Sequence, residues 1–223
     1  HRVGFLNAFS PSGSPNLDPD AFRIGEEWMA ARFGVNIKRY PTCYATHRSI
    51  DAMLDLAQQH DLSAEGIEKI NVQTGITQRT MLRNSRPKTG LEAKFSMEFA
   101  MASAVIARKV GLSELTDGFV CRPDVQSMVE RVEVSVSDDK AGADLPFAPF
   151  DLVSVTLKDG VTHRHDPVEH AKGSWQLQLG RDELKDKFKE CAQLRVSEEE
   201  ADRLFERLYR IEEVGDLREL AIF

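Results

Sequence analysis

The chain has 223 residues, of which 41% are hydrophobic and 29% charged, the balance of a soluble globular protein. Its formal net charge of -7 argues against nonspecific nucleic-acid binding, and its sequence has no apolar run long enough to cross a bilayer. The three cysteines are odd in number and far apart, which predicts free thiols in a reducing cytoplasm and no structural zinc. We therefore expect a cytoplasmic protein with no nucleic-acid or membrane partner.

The first part of the chain predicts a loop followed by a helix. Residues 1–18 are rich in serine, proline, glycine and asparagine. Asp18 and Pro19 then supply an N-cap and a first-turn proline, so a helix is expected to about Arg32, where Gly34 ends it. The chain does not begin with Met, and its start is not a secretory signal. We take it to be part of a longer protein.

The middle of the chain mixes strand and helix patterns, which predicts an α+β fold. Alternating apolar residues mark the strands, and apolar residues three and four apart mark the helices. Strands are expected at 35–38, 67–74, 132–136 and 152–157 and after the turn 158–160, and helices at 46–59, 92–110, 113–118 and 123–130. The 92–110 helix is apolar almost all round, so it should be buried. A polar stretch, 76–91, separates two of these elements.

After about residue 166 the pattern is helical only. Leu184, Phe188 and Cys191 form the apolar stripe of one helix, and a second is capped by Ser197 with Glu200 three residues later. An α+β domain inserted between two pieces of a helical domain fits this order.

Two segments of this acidic chain contain no acidic residue. They are 35–50, with Lys38, Arg39, His47 and Arg48, and 76–91, with Arg79, Arg83, Arg86 and Lys88. Because a desolvated carboxylate needs paired cationic donors, these segments suggest a small anionic ligand. Solvated loop faces give the same composition, and on composition alone we favour that explanation.

A resemblance to a known family supports the interpretation that these segments bind an anionic ligand. Residues 38–43, Lys-Arg-Tyr-Pro-Thr-Cys, and 46–52, Thr-His-Arg-Ser-Ile-Asp-Ala, resemble the K-x-Y-P-x-C…H-x-x-I-D-A signature of MmgE/PrpD proteins. Lys-Phe-Ser at 94–96 is similar to the family's K-F-S segment, and 183–192 resembles its E-L-x-x-K-F-x-x-C-A tail. Three motifs in the family's order make the match specific.

The resemblance implies a large all-helical domain with a smaller α+β lid domain inserted in it, an active site between the two, and a homodimer. Residues 1–34 would end the first helical segment, 35–165 would form the lid, and 166–223 would return into the helical domain. Family members are considerably longer, so most of the helical domain and several catalytic residues are expected to precede His1. The family needs neither a metal nor an organic cofactor, and we expect none.

Family activities include dehydration of 2-methylcitrate, decarboxylation of cis-aconitate and epimerisation of iminodisuccinate. We expect a polycarboxylate lyase, of the 2-methylcitrate dehydratase type found in propionate metabolism. An epimerase of a small dicarboxylate is one alternative, because it needs the same carbanion stabilisation. A noncatalytic lid and dimerisation module is another, and this chain alone would then be inactive.

The shared chemistry forms a carbanion beside a carboxylate, which requires a base, an acid and cations. By resemblance, Lys38 is assigned to carboxylate binding and to stabilisation of the developing charge, although a solvated surface lysine would also fit. His47 matches the signature histidine and would transfer a proton or orient the substrate. A structural histidine bonded to nearby backbone is the alternative.

Tyr40, Cys43, Arg86 and Lys94 are the candidates for substrate binding. Tyr40 is expected to pack or to donate one hydrogen bond. Cys43 stands where decarboxylase-like members carry a histidine, which argues against decarboxylation of that type, and no adjacent base marks it as a nucleophile. Lys94 would bind substrate or pair with Glu98 one turn later, and we favour the pairing.

A histidine-rich segment resembles a metal cluster in composition, and it comprises His163, His165, Asp166, Glu169 and His170. Pro167 interrupts it where the chain would leave the lid. We therefore favour an exposed connection and expect no metal site.

Overall fold

The sheet is small and mixed, and helices accompany it, so the α+β fold predicted from the sequence is confirmed. The structure is a computed structural model that describes residues 28–137 and 148–220. Most of the helix expected after Asp18 lies outside the described residues. None of the described helices is long and apolar enough to span a membrane.

The strands run in the order β2-β1-β3-β4 across the sheet. Their bounds are Ile67–Thr74 for β1, Val132–Val136 for β2, Leu152–Leu157 for β3 and Thr162–Arg164 for β4. β1 pairs in parallel with β2 and antiparallel with β3, and β3 pairs antiparallel with β4. All four strands lie where the alternating pattern predicted them.

The described α-helices are α1 (Met29–Phe33), α2 (His47–Gln59), α3 (Ile76–Met81), α4 (Gly90–Ala93), α5 (Met97–Ile106), α6 (Asp117–Val120), α7 (Pro123–Val129), α8 (Arg181–Ala192) and α9 (Glu198–Tyr209). Helix α5 packs against α2, α7 and β2, and α2 also packs against β3. Phe99 in α5 and Ile50 and Met53 in α2 are fully buried in the core. An all-round apolar helix such as α5 is stable only inside a core of this kind.

Three predicted elements differ in the structure. The helix expected over 113–118 is a turn up to residue 116, and α6 begins only at Asp117. The long helix expected over 92–110 is divided between α4 and α5, because the hydroxyl of Ser96 accepts a hydrogen bond from the Phe99 amide at 3.1 Å and begins a new helix. The strand expected at 35–38 does not form. The Ile37 amide there donates instead to the Gly173 carbonyl at 2.7 Å, outside the sheet.

Residue 173 therefore lies directly beside residue 37. Gly173 has a φ of +91°, and a Cβ on it would lie 2.2 Å from the Ile37 carbonyl oxygen, so the close approach requires glycine. The side chain of Asn36 accepts a second bond from the Trp175 amide at 2.8 Å. The segments on either side of the α+β unit are thus bonded to each other.

Candidate functional site

Residues 38–43, here called the signature turn, lead into α2. Pro41 fixes the turn's extended start. The Thr46 hydroxyl then donates to the Cys43 carbonyl at 2.9 Å and lies 2.9 Å from the Thr42 hydroxyl, which closes a short 3₁₀ turn before α2. The ammonium of Lys38 donates to the Thr42 carbonyl at 3.0 Å, so it folds back over the turn.

The three motifs that carry the family resemblance meet at the signature turn. The Cys43 amide donates to the carbonyl of Lys94, in the second motif, at 2.8 Å. The guanidinium of Arg39 lies 3.0 Å from the carboxylate of Glu183, in the third motif. Segments far apart in the sequence are therefore brought to one place.

An open cavity of about 510 Å³ lies on the Cys43 side of the turn. It is lined by Cys43, Thr80, Met81, Arg83, Asn84 and Phe95. Asn84 is held in place, since its amide donates to the Phe95 carbonyl at 3.2 Å and its side chain donates to the Glu92 carbonyl at 3.0 Å. The exposed side chains of Met81 and Phe95 give the cavity apolar walls.

Three cations lie in or next to the residues just described: Arg83 lines the cavity, Lys38 belongs to the signature turn, and Lys94 is bonded through its carbonyl to Cys43. No ion pair within the described residues involves Lys38, Arg83 or Lys94. The pairing of Lys94 with Glu98, which we favoured, is wrong, because Glu98 faces Arg79 at 3.8 Å instead. Arg83, the cation that lines the cavity, therefore has no acidic partner within the described residues and can accept an anionic group.

Of the four predicted substrate-binding residues, Cys43 lines this cavity, whereas Tyr40, Arg86 and Lys94 do not. Arg86 is exposed on the surface, 3.8 Å from Glu130. Tyr40 is buried, and its hydroxyl donates to Asp51 at 2.6 Å. Burial and the Asp51 carboxylate raise the pKa of Tyr40. The tyrosine thus packs and donates a single hydrogen bond.

Sequence reasoning did not single out Arg83 or Asn84 as site residues. Arg83 lies in the second acid-free segment, so its charge was a usable signal. Asn84 carries no comparable signal in the sequence. Its role depends on the bonds to Glu92 and Phe95, which only the folded chain reveals.

His47 is the first residue of α2 and is 0% exposed. Its ring lies between those of Tyr40 and Tyr44, with centroids 5.2 and 4.8 Å away, and neither ring nitrogen has a hydrogen-bond partner in the described part of the chain. Burial, with a smaller effect of the Lys38 charge, lowers the pKa of His47 to about 4. The backbone of Thr42 and Tyr40 acts in the opposite direction and raises the pKa by less. The ring is therefore neutral at pH 7.

Acidification is expected to destabilise the folded chain through His47. Its stabilising contribution is complete above the ordinary pKa of 6.5 and is lost as the pH falls towards 4, because only the unfolded ring protonates readily in that interval. Between pH 7 and 5, the wild-type chain should lose about 2 kcal/mol more unfolding free energy than His47→Phe. Urea unfolding at both pH values measures this. The exposed His170, changed to phenylalanine, is the control, and equal pH dependence in wild type and His47→Phe would contradict the argument.

A buried carboxylate fixes α2 to the sheet. Asp151 accepts hydrogen bonds from the Thr74 hydroxyl at 2.7 Å, the Arg48 guanidinium at 2.8 Å and the Ser49 hydroxyl at 3.0 Å. Burial raises the pKa of Asp151, and the charge of Arg48 opposes that rise. Arg48 therefore has a structural role, although it belongs to the first acid-free segment.

The histidine-rich segment contacts the C-terminal half of α2. The ring of His163 stacks on that of His60 with centroids 3.7 Å apart, and His165 lies 3.6 Å from Asp55. No group of three potential metal ligands occurs within residues 28–137 and 148–220.

The fold defines the chain's class as an α+β domain followed by helices. The family model described as the MmgE/PrpD C-terminal domain matches residues 40–210. The chain belongs to the MmgE/PrpD family.

Two curated relatives are lyases. The chain is 24% identical over 224 residues to the cis-aconitate decarboxylase of Homo sapiens. This match covers 96% of the chain and 44% of the human protein. It is 22% identical over 222 residues to the cis-aconitate decarboxylase of Mus musculus. That match covers 95% of the chain and 42% of the mouse protein. The chain thus spans less than half the length of these relatives.

Proposed function

We propose that this chain forms one side of the active site of a lyase that acts on a small polycarboxylate, of the 2-methylcitrate dehydratase type. The observation that carries the proposal is the meeting of three motifs at the signature turn, beside a cavity that Arg83 lines and with Lys38 in the turn itself. Neither of these two cations has an ion pair within the described residues. The family membership and the lyase relatives support it.

The chemistry assigned to the cavity follows from its charges. The ammonium of Lys38 and the guanidinium of Arg83 would bind carboxylate oxygens of the substrate. When a proton leaves the adjacent carbon, negative charge moves onto a carboxylate, and a cation already in place lowers the energy of that state. The apolar side chains of Met81 and Phe95 strengthen this attraction because they exclude water.

The base that removes the proton is proposed to come from outside this chain. His47 is neutral but fully buried, so it cannot reach a ligand in the cavity without movement of Tyr40 or Tyr44. We assign it to positioning the signature turn. A preceding helical domain, and a second copy of the protein in a homodimer, are the proposed partners that complete the site.

Decarboxylation is the second candidate, because both curated relatives carry that activity in their names. Cys43 occupies the position where decarboxylase-like members have histidine, so we rank dehydration above it. An epimerase would require the same cations, and no contact among the described residues favours it over the lyase.

The test is a product assay with 2-methylcitrate, citrate, cis-aconitate and iminodisuccinate. It is applied to the 223-residue chain and to the longer protein that we propose contains it. Dehydration product from 2-methylcitrate supports the proposal, whereas carbon dioxide from cis-aconitate selects the decarboxylase. Solvent deuterium incorporation without a dehydration product selects the epimerase. Absence of turnover and of binding with all four compounds would refute the proposal, and turnover by the chain alone would refute the need for a partner.

A further inference from the structure

The polar side chains that line the cavity beside Cys43 are of two kinds, one that donates hydrogen bonds and two that have acceptor oxygens to offer. They belong to Thr80, Arg83 and Asn84. An ionised carboxylate has acceptor atoms only, so it can bind to a donor of the site but not to an acceptor. The state of each polar group therefore indicates what a ligand must carry besides its carboxylates.

Arg83 is the donor. Its Nε donates to the Thr80 carbonyl at 3.3 Å, which holds the guanidinium against the end of α3. Its two terminal nitrogens have neither a hydrogen-bond nor an ion-pair partner within the described residues. A guanidinium in this state can bind one carboxylate through both terminal nitrogens.

Asn84 adds an acceptor in the next position. Its side-chain nitrogen donates to the Glu92 carbonyl at 3.0 Å, and this assignment of nitrogen and oxygen is required because a carbonyl can only accept. Its backbone amide donates to the Phe95 carbonyl at 3.2 Å, so the residue is fixed at two points. No group in residues 28–137 or 148–220 donates to the side-chain oxygen. Asn84 therefore has a free acceptor and a restrained side chain.

Thr80 supplies a second acceptor. Its hydroxyl donates to the Thr77 carbonyl at 2.8 Å, so the hydroxyl proton is used within α3. The hydroxyl oxygen keeps its lone pairs, to which no described group donates. While the bond to Thr77 is made, this oxygen can accept a hydrogen bond but cannot donate one.

We propose that Asn84, together with Thr80, recognises a hydroxyl group of the substrate and so selects a hydroxy acid over an acid without a hydroxyl. A carboxylate bound to Arg83 offers no proton to either acceptor, and a buried acceptor without a donor is costly. A hydroxyl near that carboxylate supplies the donor. The cavity volume of about 510 Å³ is large enough for a molecule of this kind.

The inference rests on the proposed function, because it takes the same cavity as the substrate site. It favours dehydration over decarboxylation, since the substrate of a dehydratase carries the hydroxyl that leaves, whereas cis-aconitate has none. Asn84 has no titratable proton, so its role is to orient the hydroxyl. The acid that protonates the leaving oxygen is a separate group.

Calorimetry on the 223-residue chain tests the proposal with citrate and with tricarballylate, which is citrate without its hydroxyl. The wild type should bind citrate about tenfold more tightly, and Asn84→Ala should reduce this preference to about threefold or less. Thr80 is exposed, so Thr80→Val should fold even where Asn84→Ala does not, and it should lower the preference about threefold. Asn71→Ala is the control in β1, outside this lining, and should keep the tenfold preference.

Three results would overturn the inference. The first is equal binding of the two acids by the wild type, and the second is binding of neither. The third is an equal loss of both acids in Asn84→Ala with an unchanged ratio, because Asn84 would then bind a carboxylate through its second N–H.

The product assay separates this inference from the proposed function. Turnover of 2-methylcitrate, combined with equal affinity for citrate and tricarballylate, would refute the role of Asn84 and leave the lyase standing. A preference for citrate that is lost in Asn84→Ala, without turnover of any compound by the longer protein, would count against the lyase and leave hydroxyl recognition standing.

Discussion

Replacing Asp151 with asparagine is expected to lower the free energy of unfolding by about 3–5 kcal/mol. The substitution keeps the volume of the side chain but removes the charge that compensates Arg48, which is itself only 14% exposed. A buried cation without its partner is costly. The asparagine amide nitrogen also places a donor opposite either the Thr74 or the Ser49 hydroxyl, because these two donate to different carboxylate oxygens of Asp151. Chemical denaturation at pH 7 measures the change.

The control for Asp151 is Glu68→Gln, which removes an exposed carboxylate from β1 and should change stability by less than about 0.5 kcal/mol. Adding Arg48→Met to Asp151→Asn should recover part of the loss, because the uncompensated charge is then gone. A loss below about 1 kcal/mol in the single variant would show that Asp151 is not the group that fixes α2 to the sheet.

Lys38→Met is expected to lower kcat/KM by about 10²–10³-fold in the form of the protein that turns over polycarboxylate. The Lys38 side chain is exposed, its only described bond is to the Thr42 carbonyl, and it forms no ion pair with a carboxylate in residues 28–137 or 148–220. If it stabilises charge that develops during the reaction, the loss should appear in kcat and not in KM alone.

Lys158→Met is the matched control for Lys38, because it removes a lysine that lies in an exposed turn and does not line the cavity beside Cys43. Lys38→Arg should retain part of the activity through its charge, with a penalty for the different geometry of the guanidinium. Turnover by Lys38→Met within about threefold of wild type would remove Lys38 from the catalytic group.

The elements that the sequence predicts well are those with a local cause. The strands β1, β2 and β3 follow their alternating residues because each has one face on the core. Helix α2 follows its apolar stripe from residue 47 to 59. The division at Ser96 was missed, because the apolar pattern of the following residues outweighed a single capping hydroxyl.

The candidate site could be predicted only in part, for a physical reason. The signature turn is continuous in sequence, so Lys38 and Cys43 could be recognised together. Arg48 has the same charge as Lys38, yet it is bound to Asp151, which lies 103 residues later, and it therefore has a structural role. Local composition does not reveal such long-range pairing. Only the fold distinguishes Arg48, which is bound within the protein, from Lys38, which could bind a ligand.

The hydrogen bond between residues 37 and 173 has a consequence for protein engineering. A unit whose two ends are adjacent can be exchanged as one cassette, because its removal leaves two host ends that a short linker can rejoin. Residues 38–172 of one family member could accordingly be transplanted into another. A chimaera of this kind would test whether the exchanged unit determines which acid the proposed lyase accepts.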